Sequence, residues 1–90
     1  MFTFTGILLK EAEGYSSLCP ELDVASFGDT PQEAKDMLLE AATLHLEGAF
    51  EDGLPYLRPV SAAEDPRHIT PAAVVEEFRF NVDVAVHAYA

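Results

Sequence analysis

The groups in this 90-residue chain most able to do chemistry are sixteen carboxylates, three histidines and one cysteine, and their spacing does not assemble an active site. Acid–base or metal work by paired carboxylates needs burial or convergence that pushes their pKa values apart. Here Glu33, Asp36, Glu40, Glu47 and Glu51, with Thr43 in the same row, recur every three or four residues, as on the solvated stripe of one helix. The first strand-like segment, Phe2 to Leu9, holds no Asp or Glu that a two-metal nuclease would need there. His45, His68 and His87 form no i,i+4 pair and no HExxH motif. Cys19 stands between Leu18 and Pro20 with no adjacent cation to lower its pKa, so a buried structural thiol is expected. A lone cysteine also cannot close an intramolecular disulfide or begin a CxxC zinc motif. Ser16, Ser17 and Ser61 lie in no GxSxG elbow, and no Gly-rich phosphate loop is present. No catalytic residue, metal or cofactor is expected, and the chain reads as a non-enzyme.

Residues 2–10 are rich in Phe, Thr, Ile and Leu, with apolar groups in both alternate sets (Phe2, Phe4, Leu8 and Ile7, Leu9), which predicts a central strand. Glu11 to Gly14 is a polar break that suits a hairpin into a second strand, Tyr15 to Cys19. Pro20 to Asp23 then turns the chain into a third strand, Val24 to Phe27. Thr30, Pro31 and Glu33 have the spacing of a capping box, and the helix they open is expected to run to about Glu51, with Gly53 and Pro55 to stop it. Opposite its acidic stripe lie Ala34, Leu38, Ala41, Ala42, His45 and Ala49, flanked by Met37, Leu39, Leu44, Leu46 and Phe50. That face is wide and must cover something, and a sheet is the available surface; His45 is read as a core or interface side chain on it. Residues 54–75 hold four of the six prolines and read as an irregular connection, with a short helical turn at 70–75. From Phe78 to Ala88 strict alternation predicts a terminal strand. The fold class is α+β, in the order β-β-β-α-β, with one helix packed on a small mixed sheet in a single domain.

Five basic against sixteen acidic residues give a net charge of −11, which repels phosphate backbones and anionic membranes and favours a basic protein partner. No segment is a signal peptide or a membrane span, and with one cysteine a cytoplasmic location is expected. A chain this small buries a thin core, so a homo-oligomer, dimer or tetramer, is expected, joined at exposed sheet edges.

In this order and spacing, Gly14-Tyr15, Cys19-Pro20-Glu21-Leu22, Gly28-Asp29-Thr30, Glu33-Ala34 and the helix from Leu38 to Glu47 resemble the HicB family of antitoxins, over roughly residues 2–53. The resemblance implies a truncated ribonuclease H-like fold and a protein that silences HicA, a small basic mRNA-cleaving toxin, by masking its RNA-binding and active surface. The antitoxin would itself do no chemistry. Many members carry a C-terminal DNA-binding domain, whereas this sequence ends at Ala90 just past the last strand, so direct DNA binding is not expected. The alternative is an orphaned module that self-associates or binds a small ligand. The toxin-binding surface is assigned to Glu21, Asp23, Glu33, Asp36 and Glu40. Replacing Glu33, Asp36 and Glu40 by Gln is then expected to slow association with a basic partner and flatten its salt dependence; unchanged on-rates at low salt would remove that stripe from the surface.

Overall fold

Burial on both faces is what the sequence demands of its first strand, and the structure, a computed structural model describing residues 1–84, meets that demand with a four-stranded sheet in the order β3-β2-β1-β4. The strands are β1 (Phe2–Glu11), β2 (Gly14–Cys19), β3 (Val24–Gly28) and β4 (Val74–Val82). The long helix α1 (Pro31–Asp52) follows β3, and a four-residue helix, α2 (Pro66–Ile69), lies in the connection to β4. The terminal strand starts four residues earlier than its alternation begins and ends at Val82; the rest of the expected strand, with His87, lies beyond the described residues except for Asp83 and Val84.

Every strand pair is antiparallel, which corrects the expected mixed sheet. The cause is the connection. The helix runs back along the sheet from the end where β3 stops, and a bare crossover would start the last strand at the far end, parallel to β1. Residues 54–73 instead carry the chain the length of the sheet a second time, so β4 pairs Val74 with Leu9 and Val82 with Phe2.

On one face, Phe4, Cys19 and Val82 meet Leu22, Leu38, Ala42 and Leu46 in the core. Each buried leucine contributes about 1.5–3 kcal/mol. Small residues on the buried stripe let α1 approach closely: Ser17 Oγ donates to the Ala34 carbonyl at 2.8 Å, and a Cβ on Gly28 would stand 2.3 Å from the Ala34 nitrogen. At the far end Phe2, Phe50 and Tyr56 form a ring cluster with centroids 5.2–5.6 Å apart.

On the other face Ile7 is fully buried, and the cross-strand pairs are polar: Thr3 Oγ donates to Asn81, and Arg79 donates to Thr5 Oγ. The connection crosses this face. Arg67 on α2 reaches Glu77, the register partner of Ile7, at 3.0 Å. The short turn expected at 70–75 is a single 3-10 turn, Pro71–Ala73, whereas α2 has no counterpart in the expectation; its signal was Asp65 before Pro66, an N-cap followed by proline.

Asp65 is buried, and its carboxylate accepts the Arg67 backbone N–H at 2.9 Å and the guanidinium at 2.7 and 3.1 Å. Those hydrogen bonds from Arg67 hold its pKa below the usual aspartate value. A folded pKa below the unfolded one contributes stability that is present above the unfolded value and lost as pH falls through the folded one. Acidification below about pH 4 is therefore expected to lower the urea midpoint of the wild-type chain, and Asp65→Asn should lower the neutral-pH midpoint while making this acid loss shallower. An acid limb that is the same in both proteins would contradict the anchoring role.

Candidate functional site

The acidic residues assigned to partner binding fall into two groups at opposite ends of β3, one in the turn that precedes it and the other on the helix that follows it. Glu33 stands about 16 Å along β3 from Glu21 and Asp23, while Asp36 and Glu40 follow on the solvent side of α1 as it runs back, so the five do not form one cluster with a common role. Their roles also differ. Glu21 is half-buried, and both of its carboxylate oxygens accept the Thr5 backbone N–H, at 3.0 and 3.1 Å, where Pro20 has left the ladder. Its backbone carbonyl accepts Arg58 N–H at 2.9 Å, and the Pro20 carbonyl accepts Val60 N–H at 2.9 Å. Glu21 thus ties β1, the β2–β3 turn and the connection together. Asp23 is exposed in that turn with φ 52°, a left-handed conformation that aspartate tolerates better than most residues.

On the helix, Thr30 Oγ accepts Glu33 N–H at 3.1 Å and so caps the first turn, and the Glu33 carboxylate reaches back past the cap to accept Asp29 N–H at 3.3 Å. Asp36 is exposed and accepts Gln32 Nε2 at 2.9 Å; Glu40 is exposed.

The thiol and the imidazole are both engaged. Cys19 is fully buried, its Sγ 3.7 Å from Glu21 Oε1, and burial followed by the Glu21 charge pushes its pKa up to about 12. A thiol in that state is no nucleophile at neutral pH. His45 Nε2 lies 2.9 Å from the Tyr56 carbonyl and pins the start of the connection against α1. Among the described residues no group of three or more His, Cys, Asp or Glu could hold a metal ion, and no helix is long and apolar enough to cross a membrane.

The sequence reading missed a groove at the C-terminal half of α1. Leu44, His45, Gly48, Ala49 and Asp52 form one wall and Leu54, Pro55 and Arg58 the other, around a cleft of about 540 Å³. It exists because the apolar arc of α1 is wider than the sheet beneath it. Lys35 reaches Glu76 at 2.7 Å and sits over the Phe78 ring, so that flank of α1 faces β4. Met37, Ala41, Leu44 and Gly48, spaced by four, three and four residues, lie on the opposite flank; Leu44 remains 62% and Leu54 59% exposed. The signal was present in the sequence as flanking leucines with no second sheet to cover them.

No protein-family profile matches this chain, and neither does any curated protein. Among solved structures it is similar to a chain of one described as the HicA3 and HicB3 toxin–antitoxin complex, with 21% identity, a TM-score of 0.66, and coverage of 91% of this chain and 99% of that one. At that identity the likeness is one of fold.

Removing the Glu21 carboxylate strands the Thr5 N–H and unties the turn. Glu21→Ala is expected to cost about 1–3 kcal/mol by urea unfolding, and Glu21→Gln, which keeps one acceptor oxygen, less. In the wild-type chain Cys19 should react with a maleimide only at the rate of unfolding; rapid labelling of the folded protein would contradict its assignment as a structural thiol.

Proposed function

We propose that this chain is an antitoxin-like protein-binding module that neutralises a small basic HicA-type RNA-cleaving toxin by covering the surface that grips RNA. The observation that carries this reading is the likeness of fold, over nearly the whole of both chains, to a component of a solved toxin–antitoxin complex. It is joined by the HicB-like signature, whose residues turn out to build the scaffold. Gly14, at φ 109°, opens β2 from the hairpin; Cys19 and Leu22 are core; Gly28 admits the helix; and Thr30 caps it.

Charge supports the same reading. Sixteen acids against five basic residues make the chain a steering target for a basic surface. Four of those basic groups are already engaged within the fold: Lys35 with Glu76, Arg67 with Asp65 and Glu77, Arg79 with Thr5, and Lys10 over the Tyr15 ring. The ion pairs of Lys35 and Arg67 and the threefold excess of acids together work against holding a phosphate backbone. On this account the protein performs no reaction; its mechanism is occlusion, in which a rigid acidic body occupies the toxin surface that RNA would use. Self-association through sheet edges is a second element of the proposal, since β3 is an outer strand with neither Lys nor Pro to blunt it.

Calorimetric titration of the full chain with a HicA-type toxin from the same host tests the proposal. Saturable binding is expected, with a dissociation constant that rises steeply as salt is raised from about 50 to 500 mM, because exposed charge pairs are screened. No binding at low salt would overturn the proposal.

A further inference from the structure

We infer that the groove between the Leu44 flank of α1 and the Leu54–Arg58 segment is the docking site for an apolar side chain presented on a basic protein surface. This rests on the antitoxin-like reading above and names the surface through which it would act. It also moves the centre of that surface away from the acidic stripe at the start of the helix.

Three observations converge on the groove. It is a concave site with apolar lips, Leu44 62% and Leu54 59% exposed, and Leu44 is the most exposed of the large apolar residues on α1, above Met37 and Leu39 at 40% and 41%. Its rim is acidic. Glu40, Glu47 and Glu51 stand four residues before, three after and seven after Leu44 on the helix surface, and Asp52 lines the cleft itself, against Arg58 as the one cation of the lining. The third observation concerns the helix end. The last turn of α1 holds no basic residue, while Glu51 and Asp52 sit at the negative end of the helix dipole. Carboxylates there are placed against the field of the helix, an arrangement that disfavours the free protein and that an incoming cation would relieve.

The same features argue against a second copy of this chain as the occupant. A two-fold interface sets the same patch against itself, so Glu47, Glu51 and Asp52 of each copy would meet their counterparts across a surface being stripped of water. A basic partner meets an acidic rim around an apolar centre, the arrangement in which a buried anchor supplies affinity and the charged rim supplies the encounter rate.

The test uses the full chain, the HicA-type toxin and two surface substitutions at exposed helix positions. Leu44→Glu is expected to leave the circular dichroism spectrum unchanged and to weaken toxin binding by about tenfold or more, as loss of a central anchor does. Glu51→Lys is expected to raise the thermal midpoint of the free chain and at the same time weaken binding and flatten its salt dependence, a pairing of effects that a merely structural residue would not produce. The double replacement of Glu33 and Asp36 by Gln, which leaves the rim residue Glu40 in place, serves as the comparison and should weaken binding less than Leu44→Glu alone. Wild-type binding that survives Leu44→Glu overturns the groove and leaves the antitoxin reading standing. Absence of wild-type binding overturns both. A homomer that falls apart on Leu44→Glu, seen by light scattering, would identify the occupant as a second copy and overturn the assignment to a basic partner.

Discussion

The structure depends on keeping both faces of one central strand out of water. β1 is apolar on both sides, and a 90-residue chain has one long helix to offer. The helix covers the face of Phe4 and Leu8; the face of Ile7 and Thr5 is left to the connection. Glu21 is where the two solutions are joined, since its carboxylate holds β1, its carbonyl holds Arg58, and its neighbour Pro20 holds Val60. A carboxylate in this position completes a ladder that proline interrupts, and it does so with a charge-assisted bond that a neutral side chain would make more weakly.

The antiparallel sheet follows from this arrangement. The connection leaves α1 at Tyr56, and its α2 part lies across the second face; in doing so it returns the chain to the end of the sheet from which the helix departed, and β4 runs against β1. The charged pairs that fasten the connection, Arg67 with Asp65 and Glu77, then sit on the face where Arg79 and Thr5 already make the pairing polar. Burial is divided accordingly, with a dry core under the helix and a thinner, more polar layer under the connection.

Much of this was legible from local patterns. The capping box at Thr30 and Glu33, the hairpin into Gly14, the apolar doubling of β1 and the alternation of Phe78, Phe80 and Val82 each rest on interactions within a few residues or on a simple period, and each appears where the pattern puts it. The direction of β4 was not legible, because it is decided by the path of a proline-rich segment whose own periodicity says nothing. Nor were the separate roles of the five acidic residues. Glu21 looks like solvated charge in the sequence, but it is captured by the Thr5 N–H sixteen residues away, a neighbour that only the folded chain supplies, whereas Glu33 belongs to the local pattern at the helix start. The groove escaped notice for a related reason: whether Leu44 is core or surface depends on how far the sheet extends beneath the helix, and β3, five residues long and at the edge, extends too little.

The proposed function is one of recognition, in which the chain silences a toxin by covering it. The measurement that addresses this most directly is cleavage of a labelled RNA by a purified HicA-type toxin while this chain is added in increasing amount. The account predicts that cleavage falls linearly to zero at a fixed stoichiometric ratio and returns when salt is raised enough to part the complex. Cleavage that continues undiminished at several-fold excess of the chain would contradict it.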